Sequence, residues 1–276
     1  MSKQKDNSRK DSHYARLRRA HRERTGTGPE PGPADVPDGL VRLYGLHTVR
    51  AAIGNPARRI ISLRVTRNAA ARLGIEDIAA LPFPAELVEP KTLDALCGSD
   101  AVHQGAVLDA EPLSPKPLSA LGNEPLVLVL DQVTDPHNVG AILRSSVAFG
   151  AGALITTARH SPSESGVLAK SASGALEHID LITVRNLADA LDQLAASGFQ
   201  TIGLDSEGPA ILEKTLSGNR IALVLGAEGK GLRHKTRETV TALARLDMPG
   251  AIRSLNVSNA AAISLYVAQR YLAGDT

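Results

Sequence analysis

The sequence predicts an α/β protein, with a small front α/β unit and a larger rear unit built on a parallel sheet. Three observations predict it. From Leu126 onward, short continuous apolar runs alternate with stretches of helical period. Strands that are apolar throughout belong to a parallel sheet covered on both faces, because a half-exposed strand would alternate with polar residues. Before that point, short β-type runs and helical pieces fill a smaller span, and a stretch with four prolines, AEPLSPKPLSALGNEP (110–125), separates the two textures. The organisation that follows is a basic tail and linker over 1–38, a front unit over 39–110, a hinge over 111–124 and the rear unit over 125–276.

In chain order, TGTGPEPGPADVPD (25–38) is rich in Gly and Pro and nearly free of apolar residues, so it reads as a flexible linker. The front unit then offers strands at LVRLY (40–44), IISLRVT (60–66), ELVE (86–89) and GAVLD (105–109). Helical pieces lie between them, including HTVRAAI (47–53) and KTLDALC (91–97). The rear strands are LVLVL (126–130), ALIT (153–156), DLITV (180–184), QTIGL (200–204), RIALVL (220–225) and LARLD (243–247). In LADALDQLAAS, Leu187, Ala190, Leu191, Leu194 and Ala195 fall at helical spacing. The Ala-rich SNAAAISLYVAQRYL closes the chain as a helix suited to a tight interface, and no internal repeat is evident.

Composition narrows the function. A chain of 276 residues with 43% hydrophobic content can bury a substantial core. No apolar run approaches the ~20 residues that span a bilayer. The charged N-terminus is unlike a secretory signal, so the expected location is cytoplasmic. Cys97 is the only cysteine, which excludes an internal disulfide and a cysteine-based zinc site. It ends the apolar pattern of Leu93 and Leu96 and reads as an inert core thiol. His103, His137 and His178 offer no metal-pair spacing, so no metal site is expected. The net charge of +2 hides an asymmetry. Residues 1–24 carry nine Lys/Arg against Asp6, Asp11 and Glu23, a balance of +6, which leaves −4 on the other 252 residues. A basic arm on a mildly acidic body points to a polyanionic partner such as nucleic acid.

Chemistry concentrates in three loops at the ends of rear strands, where open α/β sheets bind ligands. After LVLVL comes DQVTDPHNVGAILRSSVAFGAG, where Asp135-Pro136 predicts a turn and Asn138 a cap for a helix beginning at Val139. Arg144 follows among Ala141, Ile142, Leu143, Val147, Ala148 and Phe149, a setting in which a charge calls for a partner or a role. After RIALVL comes GAEGKGLRHKT, whose Gly226, Gly229 and Gly231 allow close backbone approach to a ligand, with Glu228 as its carboxylate. Its G-x-x-G-x-G order is neither the dinucleotide fingerprint nor a Walker A loop, which disfavours a nicotinamide-dependent dehydrogenase. The third loop, LDMPGAIRSLNVSNAAAI, crowds Ser254, Asn256, Ser258 and Asn259 before the final helix, with Ser258 a candidate cap.

Asn138-x-Gly140-x-x-x-Arg144, Leu225-Gly226-Ala227-Glu228-Gly229-x-Gly231 and Ser254-Leu255-Asn256-Val257-Ser258 resemble, in order and spacing, the three motifs of the SpoU/TrmH branch of the knotted SPOUT methyltransferases. The likeness spans about residues 126–272. In the front unit, YGLHTVRAAI (44–53) and AVHQGAVL (101–108) are similar to the small substrate-binding domain of the ribosomal guanosine 2'-O-methyltransferase subgroup, and SGALEHI (173–179) in the rear unit is also similar to that subgroup. The resemblance implies a catalytic domain with a C-terminal trefoil knot, a homodimer whose active site borrows residues across the interface, and S-adenosylmethionine as cofactor. It implies an RNA substrate, with a guanosine of large-subunit ribosomal RNA expected. Transfer RNA, an antibiotic-resistance methylation of ribosomal RNA and a non-catalytic RNA-binding assembly protein are the alternatives. By the same resemblance Asn138, Arg144, Glu228, Asn256 and, in second rank, Ser254 are the catalytic residues. Gly226, Leu246 and Leu255 are expected at the cofactor, with Leu225, Ala227 and Met248 nearby. Family accounts sometimes make the arginine a base, but a guanidinium with pKa above ~12 is a poor one near neutrality, and a bidentate grip on the phosphate beside the target ribose fits it better.

Overall fold

The computed structural model describes residues 34–275 apart from 99 and 160, so the basic tail and most of the linker fall outside the described residues. In the front unit, β1 (Val41–Tyr44), β2 (Ile60–Val65), β3 (Ala85–Leu87) and β4 (Ala106–Ala110) form one sheet in the order β1-β4-β2-β3. Strand β4 runs antiparallel to both neighbours, and β3 runs parallel to β2. Helices α1 (Leu46–Gly54), α2 (Arg67–Leu73) and α3 (Pro90–Cys97) connect the strands. Each boundary has a local cause. Thr66 caps α2 by accepting from Ala69 N, Gly74 ends it in the left-handed region, and Pro90 opens α3 where a missing N–H costs nothing.

The rear unit is a seven-stranded sheet, parallel throughout. It comprises β5 (Leu126–Asp131), β6 (Ala153–Thr157), β7 (Asp180–Val184), β8 (Gln200–Leu204), β9 (Ala210–Ile211), β10 (Ile221–Gly226) and β11 (Ala242–Arg245), in the order β7-β6-β5-β10-β8-β11-β9. The apolar runs are continuous because the two faces of a strand feed two different cores. Leu126, Leu128 and Leu130 of β5 pack with Ile142, Leu143 and Leu265, while Val127 and Val129 pack with Leu187, Leu191 and Leu194. The helices involved are α4 (Pro136–Ala148), α6 (Leu187–Ala196) and α9 (Val257–Leu272); α5 (Gly166–Ala172), α7 (Leu212–Thr215) and α8 (His234–Thr239) complete the layers. Strand β10 inserts between β5 and β8, the chain moves outward to β11, and α9 returns to pack on α4 and β10. That path is consistent with the knot the resemblance implies.

Gly140, inside the first motif, has a packing reason. A Cβ there would stand 2.5 Å from Leu168 O and 2.5 Å from Ser171 Cβ, so only glycine lets α4 and α5 approach this closely. Residues 111–124 run along the edge of β7, where Lys116 N donates to Leu181 O at 2.7 Å and Thr183 N donates to Lys116 O at 3.1 Å. The Lys116 ammonium also reaches the Asp180 carboxylate at 2.7 Å.

The two units are joined by a buried ion cluster. Arg58, at the end of the loop after α1, points its guanidinium into the rear unit. Its Nη2 donates to Glu177 Oε1 at 2.6 Å, its Nη1 donates to Glu111 O at 3.0 Å, and Asn55 Nδ2 donates to Glu177 Oε2 at 2.6 Å. Glu164 Oε1 lies 2.8 Å from Arg58 Nη1, as a charge contact whose direction is too poor for a hydrogen bond. Its Oε2 accepts from Leu113 N at 2.8 Å. Burial pushes the Glu164 carboxyl above the usual carboxylate range, and the Arg58 charge pulls it partly back. Arg58→Ala would leave two buried carboxylates facing each other, and is expected to lower stability by about 3–5 kcal/mol in urea unfolding.

Cys97, the last residue of α3, is half-buried rather than fully enclosed. Burial pushes its thiol up to about 11, with Arg42 pulling the other way. Thiolate is therefore about one part in a thousand at pH 8, and alkylation of the folded protein is expected to be far slower than that of a free thiol, rising steeply only as pH nears 11.

Candidate active site

The three loops converge at the carboxyl ends of β5 and β10, neighbours in the sheet whose last residues, Asp131 and Gly226, are paired in register. Here the structure corrects two caps. Helix α4 begins at Pro136, not Val139, and its cap is Asp135, whose carboxylate accepts from His137 N at 3.3 Å and Asn138 N at 3.2 Å. Proline at the first helical position, with φ already helical and no N–H to satisfy, explains the earlier start. The Asn138 side chain is thereby left out of capping. The final helix is capped by Asn256, not Ser258; Asn256 Oδ1 accepts from Ser258 N at 2.8 Å and from Ser258 Oγ at 2.6 Å.

That cap fixes the chemistry of Asn256. A backbone N–H only donates, so the atom facing Ser258 N must be the amide oxygen, and the NH2 group must point the other way. It donates to Asn138 Oδ1 at 3.0 Å and to Glu228 Oε1 at 2.7 Å. One side chain thus joins all three loops. Among the described residues, Asn138 keeps its own NH2 free to donate and Glu228 keeps Oε2 free to accept; Asn138 is half-buried and Glu228 exposed.

The Gly226–Gly231 loop folds back on itself. Gly231 N donates to Ala227 O at 2.9 Å, Gly229 and Gly231 take positive φ of 76° and 63°, and a Cβ on Gly226 would overlap the Gly231 carbonyl. These glycines therefore serve the turn first, and any ligand second. Downstream the loop is tied to the sheet by Asp131, which is fully buried. It accepts from Arg233 N at 3.0 Å and from Arg233 Nε at 2.6 Å. Sequence reasoning missed this pair, although a carboxylate ending the LVLVL run was a visible signal.

Beside the cluster is a cavity of about 580 Å³, within the range of small-molecule sites. Leu225, Gly226, Ala227 and Leu255 line it, together with Glu228, Ser254 and Asn256. Two expected cofactor residues, Leu246 and Met248, do not. Strand β11 ends at Arg245, after which Leu246 packs against the core and Met248 lends its carbonyl to Arg253 Nη1 at 2.7 Å. Leu204 and Ser206 line the cavity without having been singled out, because nothing local shows that β8 lies next to β10, and Ala260 of α9 lines it too.

Arg144 does not join the cluster within one chain. Six residues beyond Asn138, it sits about 9 Å along α4 on another face. Its apolar sequence neighbours Ile142 and Leu143 turn into the core, while Arg144 itself is exposed; adjacency in sequence is not adjacency on a helix. Among the described residues it has no ion-pair partner, and it lines a separate cleft against α1. Among those residues, too, no group of three or more His, Cys, Asp or Glu side chains is placed to hold a metal ion. No described helix is long and apolar enough to cross a membrane.

Comparison with known proteins bears on this arrangement. The family model described as the SpoU rRNA Methylase family matches residues 125–266, and the one described as RNA 2'-O ribose methyltransferase substrate binding matches residues 42–116. The 23S rRNA (guanosine-2'-O-)-methyltransferase RlmB of Ralstonia nicotianae is 39% identical over 236 residues, which is 83% of this chain and 94% of that protein. The protein of the same name from Coxiella burnetii is 37% identical over 238 residues, again 83% and 94%. Among solved structures, the SpoU methyltransferase AviRb from Streptomyces viridochromogenes in complex with AdoMet superposes with a TM-score of 0.73 at 21% identity, covering 86% of this chain and 92% of that one. The AdoMet-bound rRNA methyltransferase from Sinorhizobium meliloti gives 0.69 at 22%, covering 92% and 91%. At those identities the structural likeness speaks for the fold, and the α/β architecture with a parallel sheet agrees with it. Fold, motifs and sequence relatives converge: the chain belongs to the SpoU rRNA methylase family.

Proposed function

We propose that this protein transfers the methyl group of S-adenosylmethionine to the ribose 2'-hydroxyl of a guanosine in 23S ribosomal RNA. The observation that carries the reading is the Asn138–Asn256–Glu228 network, drawn from three loops at the mouth of a strand-end cavity. The family membership and the names of the relatives supply the substrate class.

The cavity fits the cofactor. Leu204, Leu225, Val257 and Ala260 offer apolar walls for an adenine, while Ser206, Glu228 and the main chain of the Gly226–Gly231 loop offer polar contacts for the rest. When bound, the cofactor supplies a methyl group made electrophilic by its sulfonium. The chain's own residues align the acceptor and take its proton. Asn256 holds Glu228 in place through its amide, and Glu228 Oε2 is the ionisable acceptor of the cluster available to the hydroxyl proton. Asn138 has a free NH2 group to orient the ribose. Arg144 grips the adjoining phosphate through its planar fork. Ser254 lines the same cavity and stands in reserve for a polar contact.

Arg144 lies apart from this cluster in one chain, which favours a homodimer in which one subunit's Arg144 works with its partner's cofactor loops. The last helix supports that reading: Ile263 and Tyr266 are 44% and 50% exposed, and Tyr266 meets Phe149 edge-on at 5.8 Å, leaving an apolar face for a second copy. A cytoplasmic location, and RNA contact by the basic arm of residues 1–24, complete the proposal.

The decisive experiment is mass mapping of 2'-O-methyl sites in ribosomal and transfer RNA from cells with and without this protein. Loss of one guanosine methylation in 23S rRNA is expected, and an unchanged map would overturn the reading. Arg144→Ala is expected to abolish transfer while calorimetry shows cofactor affinity largely preserved; collapse of that affinity would contradict the phosphate grip. Arg144→Lys should fail as well, since an ammonium cannot reproduce the fork, and near-normal turnover would count against it.

A further inference from the structure

Three sequence segments, 44–53, 101–108 and 173–179, take no part in the Asn138–Asn256–Glu228 cluster. They meet one another at the seam between the two units. Gln104, held at a φ of 56°, accepts from Leu46 N at 3.1 Å and from Lys170 Nζ at 3.0 Å. Thr48 Oγ1 donates to Ala169 O at 3.2 Å, fastening α1 to α5. Gly174 faces α1 so closely that a Cβ would stand 2.8 Å from Ala51 Cβ and 3.1 Å from His47 O.

This seam leaves an open cleft of about 570 Å³. His47 and Arg50 of α1 form one wall, and Arg144 and His178 of the rear unit contribute to the other. All four are exposed. The carboxylate in the lining, Glu177, is almost wholly buried and already taken up by Arg58 and Asn55, so it does not offset the cations. The described lining contains no Phe, Tyr or Trp ring, the large stacking platforms of single-strand binders.

We propose that this cleft is a phosphate-binding subsite for the RNA strand, gripping the backbone next to the nucleotide that Arg144 engages. The inference rests on the RNA methyltransferase reading and deepens it. Two guanidinium forks with two imidazoles, no available carboxylate and no large aromatic platform suit phosphodiester oxygens. The cleft joins a wall from each unit, so the strand it holds runs toward Arg144 rather than over the front unit alone.

The test measures binding of the full chain to 23S rRNA fragments across a range of salt, alongside calorimetry with S-adenosylmethionine. Arg50→Glu and the His47→Ala/His178→Ala pair are expected to weaken RNA binding. Arg50→Glu should also lower the slope of log affinity against log salt by about one for every phosphate it no longer neutralises, the histidine pair should weaken binding through lost hydrogen bonds, and cofactor affinity should stay unchanged in both. The Arg50 guanidinium also donates to Arg72 O. If Arg50→Glu melts early, the histidine pair decides the matter, since neither imidazole makes a side-chain hydrogen bond among the described residues. Parent-like affinity and slope in a folded variant, while the parent binds and methylates 23S rRNA, would overturn the subsite and leave the function standing. A parent that binds the cofactor but neither binds nor methylates that RNA would instead overturn the function and the subsite with it.

Discussion

Asn256 carries a constraint on which the rest of the site depends. As the cap of the last helix it must present its oxygen to Ser258, and this alone turns its NH2 group toward Asn138 and Glu228. A capping bond common to many helices is here the device that orients a polar cluster. Its strength comes from the fold rather than from the loops. Asp131 anchors the residue that follows the glycine loop, the register of β5 with β10 sets the spacing of the first two loops, and α9, packed on both α4 and β10, brings in the third. No member of the cluster is deeply buried, so its order depends on these supports and not on exclusion from water.

Much of this was legible in the sequence, and the exceptions have physical causes. The rear strands lie within a few residues of the apolar runs because each strand feeds two cores, so every residue in the run must be apolar. Strand β9 escaped notice because two residues carry no periodicity. The cap assignments failed where two capping residues stood close together. Asp135 prevailed over Asn138 because Pro136 starts the helix, and Asn256 over Ser258 because the helix begins at Val257. Arg144 looked enclosed in the linear sequence, yet the helical period that buries Ile142 and Leu143 exposes it. Leu204 and Ser206 were invisible for a different reason: strand order in a parallel sheet is a long-range property, and only the sheet reveals that β8 borders β10.

The separation of Arg144 from its motif partners gives the molecule a division of labour. One region, at the ends of β5, β10 and β8, is a cavity with apolar walls and a polar rim. The other, at the seam with the front unit, is cationic. The motif residues Asn138 and Arg144 share one helix but face these two regions separately, so α4 is the rigid element that sets the distance between them.

The Arg58 cluster has a mechanical consequence. A seam packed with leucines can slide, because dispersion contacts are nearly indifferent to small rotations. A guanidinium held in register by Glu177 and the Glu111 carbonyl, with Asn55 fixing Glu177 in turn, is not indifferent, since these bonds are directional and misalignment would strand buried charge. The gap between front and rear units therefore has one preferred width. It acts as a caliper rather than a jaw, and an RNA whose contour departs from that width would have to deform itself to fit.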